Sequence, residues 1–427
     1  MSWAAPTIAV VVLLYATFSK RLDGTPVTAP MVFTAAGLLL GSKTFDVVNL
    51  DPKHETIKLL AEGTLAVVLF GDAARIDLRA LRDEYRFPTR LLGIGLPLTI
   101  VAGLLAALAL FGSVGWPEAL VLAVVLAPTD AALGQAVVTL PSLPSRIRQG
   151  LNVESGLNDG ICVPIFFSAL AIATAEAGVT TDGHALRLLV EEIGYGVLFG
   201  AVGGALAAIV LLFGARRNFV EAAWLQVVPA AGALFCYTAA AKVGGSGFIA
   251  AFIGGLIFGG LRRRVGGETG YLIEELGALL GAATFVVFGA VLLEPGLDNV
   301  TWAIAAYAVL SLTAVRMVPV AIALAGTRAR RQTVGFVGWF GPRGLASIVF
   351  AILIVENEGR LPHKSLVNTT IFVTVGLSVL AHGLSAAPLA RRYASWYAEN
   401  PREAGAEEAA AVTEVRWRFP RPSDSHR

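Results

Sequence analysis

Arg148-Gln149-Gly150-Leu151-Asn152-Val153-Glu154-Ser155-Gly156-Leu157-Asn158-Asp159-Gly160 decides how this chain must be read. It leads directly into an apolar run from Ile161 to Ala175, so the whole stretch is expected to be one membrane helix. A carboxylate at membrane depth costs roughly 2.5 kcal/mol or more, and here Glu154 and Asp159 lie within six residues. Helical spacing sets Glu154 above Asn158 and Ser155 above Asp159, and the four together cover about 140° of the circumference. Gly156 and Gly160 form an adjoining stripe without side chains, where another helix can approach closely. The bland alternative, a pair of packing carboxylates bonded to neighbours, fits Glu154 better than Asp159.

The rest of the 427 residues agrees with a membrane setting. The chain is 56% hydrophobic and 15% charged, against roughly 25% charged in soluble proteins. We expect an all-α polytopic membrane protein of about thirteen transmembrane helices, over residues 4–19, 26–41, 56–73, 90–112, 117–140, 148–175, 187–214, 219–241, 244–261, 270–293, 300–326, 333–357 and 364–390. Residues 1–390 form the membrane domain, and residues 391–427 read as a short, partly disordered cytoplasmic tail. Seventeen lysines and arginines fall in connections after odd-numbered spans and six in those after even-numbered spans. That bias puts the odd side in the cytoplasm, the N-terminus outside and the C-terminus inside. The first apolar run has no cleavage pattern and is followed by Lys20 and Arg21, so it is expected to stay as a helix. Cys162 and Cys236 lie in apolar stretches and imply no disulfide framework.

Two spans are interrupted. The fifth breaks at Ala127-Pro128-Thr129-Asp130 and the twelfth at Gly341-Pro342-Arg343-Gly344. Proline removes a backbone donor and crowds the preceding turn. Broken backbone survives in a membrane only where protein or a water-filled cavity covers it. The breaks lie seven spans apart, an odd offset, so the two helices run antiparallel. Inverted repeats with broken helices meeting near the midplane follow from that spacing.

The polar residues near these breaks define the chemistry. Thr129 offers a hydroxyl and a carbonyl to a hard cation. Asp130 either binds an ion or offsets the positive end of the half-helix that follows it. Arg343 needs a carboxylate at that depth, with Glu154 the preferred partner and Asp130 the alternative. Arg316, also deep, is read as structural, with no partner assigned. Asp72, near the cytoplasmic end of the third span, either lines an entry path or is a helix-end acid reaching for solvent. Oxygen donors dominate, without His or Cys, which excludes zinc or copper and suits Na⁺, K⁺ or H⁺. The five histidines read as loop or packing residues, and clusters such as Gly196, Gly200 and Gly204 as close helix packing. No nucleotide-binding or hydrolase motif is present, and no cofactor or nucleic-acid partner is expected.

Pro128-Thr129-Asp130, Glu154 to Gly160, and Gly341 to Gly344, in this order and on these spans, resemble the sodium/proton antiporters of the NhaP type, in the monovalent cation:proton antiporter superfamily. The resemblance extends from residue 1 to about residue 390. It implies that Asp159 alternately holds the cation and the proton, with Ser155 and Thr129 as further oxygen ligands. Asn158 stands where the electrogenic branch carries a second aspartate, which implies electroneutral exchange. Glu154 and Arg343 would form a buried ion pair. Asp72 stands where the family often has a glutamate, one methylene longer. A homodimer, with a core domain rocking against a dimerisation domain, is also implied. The rival readings are a K⁺(Li⁺)/H⁺ exchanger on the same fold, a cation channel, or an intramembrane protein that transports nothing.

Overall fold

The computed structural model describes residues 3–22, 25–76, 86–130, 133, 137, 140–176, 182–263, 270–356 and 361–400. Among the described residues the regular elements are all helices. In chain order they are α1 (Ala4–Leu22), α2 (Ala29–Leu40), α3 (Glu55–Arg75), α4 (Leu96–Leu110), α5 (Trp116–Val125), α6 (Ser145–Glu176), α7 (Asp182–Arg216), α8 (Ala222–Lys242), α9 (Gly247–Arg262), α10 (Tyr271–Val287), α11 (Trp302–Leu312), α12 (Ala314–Leu324), α13 (Arg331–Trp339), α14 (Leu345–Glu356) and α15 (Lys364–Glu399). A short helix, Arg86–Arg90, and a π-turn, Leu91–Gly95, lead into α4, and a π-turn, Phe288–Leu293, with two short turns, Glu294–Gly296 and Leu297–Asn299, follows α10.

Among the described residues, eight helical stretches are long and apolar enough to cross a membrane, and α2, α5, α9 and α14 are shorter apolar helices. The third expected span, α3, is one continuous helix but carries Lys58, Glu62 and Asp72. The number of crossings is therefore not fixed at thirteen by length and composition. Nor does the last helix stop where the composition changes: α15 continues past residue 390 to Glu399. The Ala/Glu-rich tail, residues 401–427, lies outside the described residues, as does most of the second half of the fifth span around Gly134.

Local signals explain several helix starts. Ser246 Oγ accepts from Ile249 N at 3.4 Å at the head of α9, and Thr301 Oγ1 accepts from Ile304 N at 3.3 Å at the head of α11. Each occupies a donor that the helix itself cannot satisfy. Glu118, in the first turn of α5, reaches back to accept from Gly115 N at 3.3 Å and also accepts from His363 N at 2.8 Å. The start of α5 is thus pinned to the start of α15.

Packing follows the small residues. A β-carbon at Gly200 would lie 2.6 Å from Ala250 O, so α7 and α9 touch through backbone, as the glycine spacing predicts. α3 lies against α9 and α10, while α6 packs on α5 and α4 lies between α5 and α12. The core around the two breaks is lined by Val121 to Ala127 and Leu345 to Ile352, all buried.

Candidate functional site

α5 ends at Val125 and α13 at Trp339, and the segments that follow are unwound as the prolines require. The two segments cross and satisfy one another. Asp130 N donates to Pro342 O at 2.8 Å, and Ser347 Oγ donates to Val125 O at 2.7 Å. Pairing of 130 with 342 and of 125 with 347 makes the crossing antiparallel, as inverted repeats demand.

Each break carries the charge that the other needs. Leu345 N donates to Asp130 Oδ2 at 2.9 Å, so Asp130 caps the positive end of α14. The sequence left Asp130 either to bind an ion or to offset the half-helix that follows it; its acceptor for Leu345 N faces the other repeat. Arg343 Nη1 donates to Ala127 O at 2.9 Å and Pro128 O at 3.2 Å, and Nη2 to Ser311 O at 3.4 Å. Its guanidinium therefore covers the negative end of α5. Arg343 N donates to Ser378 Oγ at 2.7 Å, and His382 beside it contacts Trp339 O through Nε2 at 3.0 Å.

The expected ion pair between Arg343 and Glu154 does not form. Glu154 Oε1 instead accepts from Arg316 Nη1 at 2.6 Å, with the two side chains 2% and 1% exposed. The alternative pairing of Arg343 with Asp130 is not formed either, because Arg343 spends its donors on carbonyls and Asp130 accepts from Leu345 N. The physical reason is local: an unwound helix end leaves carbonyls without helical donors, and a guanidinium with five N–H groups suits them. Arg316, read from the sequence as structural and without a partner, thereby gains one. Its signal was present, since two deep arginines cannot share one carboxylate without leaving a charge behind. Its stem lies against Gly341, where a β-carbon would come within 3.0 Å of Arg316 Cγ.

Glycine is demanded at Gly344 for the same reason. A β-carbon there would overlap the Asp130 carboxylate and lie 2.5 Å from Asp130 Cβ. We expect Gly344→Ala to destabilise the protein by ~1–3 kcal/mol, as overpacking does. The check is the thermal unfolding midpoint in detergent, and an unchanged midpoint would refute the tight crossing.

α6 gathers the remaining polar groups. Ser155 Oγ donates to Thr129 O at 2.6 Å and Asn158 Nδ2 donates to Thr129 Oγ1 at 2.7 Å. Thr129 is thus held at both its oxygens by the helix that carries Asp159. Ser155, Asn158 and Asp159 are all buried, Asp159 being 8% exposed. Asn158 Oδ1 has no hydrogen-bond partner among the described residues.

Asp72 reaches the same helix from α3. A β-carbon at Gly156 would lie 3.6 Å from Asp72 Cβ, one turn from Asp159. Asp72 also faces Arg75 Nη1 at 3.6 Å, and Arg75 Nε binds Glu274 Oε1 at 3.2 Å. On the other side of Asp159, a β-carbon at Gly160 would run into the Phe252 ring. The glycine stripe of α6 thus receives α3 at Gly156 and α9 at Gly160. Three oxygen-bearing residues, Thr129, Ser155 and Asn158, and the buried carboxylate of Asp159 at a helix break form a setting for a small hard cation or a proton.

The family model for the transmembrane sodium/hydrogen exchangers matches residues 8–392. The Na(+)/H(+) antiporter NhaP of Pseudomonas aeruginosa is 30% identical over 363 residues, covering 79% of this chain and 81% of the relative. The K(+)/H(+) antiporter NhaP2 of Shewanella oneidensis is 25% identical over 385 residues, covering 89% of this chain. This chain spans 64% of that relative's length. The structure of the sodium proton antiporter MjNhaP1 from Methanocaldococcus jannaschii at pH 8 superposes with a TM-score of 0.72 at 21% identity, covering 92% of this chain and 98% of that one. That likeness establishes the fold. With the family model spanning nearly the whole described helical region, the chain belongs to the transmembrane sodium/hydrogen exchanger family.

Proposed function

We propose that the protein is a secondary transporter that exchanges a monovalent cation for protons across the membrane, the two competing for Asp159. The observation that carries this reading is the locking of Thr129, at the unwound break, by Ser155 and Asn158 on the face that presents Asp159. Burial raises a carboxylate pKa and a bound cation lowers it, so one site accepts either ligand but not both. Crossing only when loaded obliges the two fluxes to oppose one another. Ser155, Thr129, Asn158 and Asp159 would supply the ion's oxygens, and Asp72 would line its approach from the cytoplasm.

Exchange is electroneutral in this reading. Asn158 spends its amide on Thr129 and carries no charge, which leaves Asp159 as the one acid among these four residues. One unit of charge then moves each way per cycle. In purified proteoliposomes, flux driven by a pH gradient should be the same with and without an imposed membrane potential. A rate that follows the potential would contradict a one-for-one cycle.

Na⁺ is the cation favoured here, because the more similar of the two relatives above is named for it; K⁺ is the second reading, from the relatives named for K⁺. Adding Na⁺, Li⁺ and K⁺ in turn across a pH series, with a fluorescent pH reporter in everted vesicles, separates them. A channel would show currents in place of saturable, pH-coupled flux.

The expected orientation, N-terminus outside and C-terminus cytoplasmic in a bacterial-type inner membrane, rests on the lysine and arginine bias of the connections. A homodimer of thirteen-span protomers, with residues beyond the membrane domain as a cytoplasmic tail, completes the proposal.

A further inference from the structure

Between α12 and α13 lies a groove of about 620 Å³, walled by Met317, Val318 and Ile322 on one helix and Val334 and Gly335 on the other. Val318 and Ile322 are 55% and 51% exposed, which in a bilayer means exposed to lipid. From Met317 to Ala325 is eight residues, or about 12 Å of helix, close to the ~15 Å of hydrocarbon in one leaflet.

The end of the groove is positive. Arg331 lines it, and Arg90 Nη2 donates to Ala325 O, also in its wall, at 2.8 Å. α13 begins there with Arg330 as N-cap in extended conformation and no side-chain cap, so the positive end of its dipole adds to the charge. Arg328 lies in the turn just before it. Between Thr313 and Phe340 the sequence holds no aspartate or glutamate.

We propose that the groove binds an anionic phospholipid of the cytoplasmic leaflet. One acyl chain lies between α12 and α13, and the phosphate sits at Arg331, Arg90 and the N-terminus of α13. Apolar length and clustered positive charge at one end match that amphiphile. The placement rests on the cytoplasmic assignment of the α12–α13 connection, and not on ion exchange. The groove also adjoins working parts of the protein. Met317 lies one residue after Arg316, and Gly338, three residues before Gly341, packs on it with a β-carbon position 3.4 Å from Met317 Cα.

The test uses the full chain in non-ionic detergent, with phosphatidylglycerol or phosphatidylcholine added, read by native mass spectrometry and by thermal unfolding. Wild type should retain phosphatidylglycerol preferentially and gain thermal stability from it alone. Each basic residue near an anionic headgroup contributes roughly fivefold in affinity, so R90Q/R331Q should bind phosphatidylglycerol on the order of 30-fold more weakly. Gly335→Trp should displace either lipid, and its backbone can accept the change because a β-carbon there meets nothing within 4 Å. Arg217→Gln, in another cytoplasmic connection, should change nothing. Equal retention of the two lipids by wild type would overturn the proposal, as would a phosphatidylglycerol preference that survives both R90Q/R331Q and Gly335→Trp. These binding results stand apart from transport: failure to exchange ions would leave them untouched.

Discussion

Asp159→Asn is expected to reduce cation/proton exchange to the background of empty vesicles while leaving the protein folded. Asparagine keeps the size and one oxygen of aspartate but neither titrates nor carries charge. In the competition scheme it removes both ligands at once: no proton is held, and the cation loses its one counter-charge among Thr129, Ser155, Asn158 and Asp159. The effect on stability should have the opposite sign. An ionised carboxylate at membrane depth costs roughly 2.5–3.5 kcal/mol, and Asp159 is 8% exposed, so its neutral replacement should unfold no earlier than wild type. Flux and unfolding measured on the same preparation separate the two effects. Full exchange by purified Asp159→Asn would sink the proposed function. Lost exchange with an unfolded protein would instead show Asp159 to be structural.

The second large effect concerns Glu154 and Arg316. Removing one member of a fully buried pair leaves its partner charged and uncompensated, at a cost of about 3–5 kcal/mol. Arg316→Met should therefore destabilise strongly, and Glu154→Gln likewise. The double variant should recover most of the loss, because a neutral pair of similar volume is often close to neutral in stability. Arg343 supplies the contrast. Its donors go to Ala127, Pro128 and Ser311 carbonyls, so Arg343→Met should destabilise with or without Glu154→Gln. If Glu154→Gln rescued Arg343→Met instead of Arg316→Met, the ion-pair assignment made here would be wrong.

That contrast marks how far the sequence could be read. The prolines at Pro128 and Pro342 announced the breaks because proline constrains the backbone wherever it stands. The face shared by Ser155 and Asp159 was legible because helical spacing is fixed. Partner choice was not legible in the same way. Arg316 and Glu154 are 162 positions apart, and no local rule records that α12 comes to rest beside α6. Nor does sequence say which of two half-helices an acid will cap. Asp130 could equally have served the residues that follow it, and only the crossing of the chains gives it to Leu345. Helix length was underread at α15 because the composition changes at residue 390 while hydrogen bonding continues to Glu399.

The reciprocal caps at the crossing also set a timetable for assembly. Asp130 and Leu345 are 215 residues apart, and chains are made at roughly 5–20 residues per second, so about 10–40 s separate the appearance of the two partners. Throughout that interval the carbonyls of Ala127 and Pro128 have no guanidinium, and the first broken span enters the bilayer unfinished. Insertion of the amino-terminal half must then be provisional, with water or the insertion machinery standing in for the missing half. A nascent chain halted before Arg343 should leave its fifth span accessible to water-soluble thiol reagents at a cysteine placed at Thr129, and release of synthesis past α14 should close it.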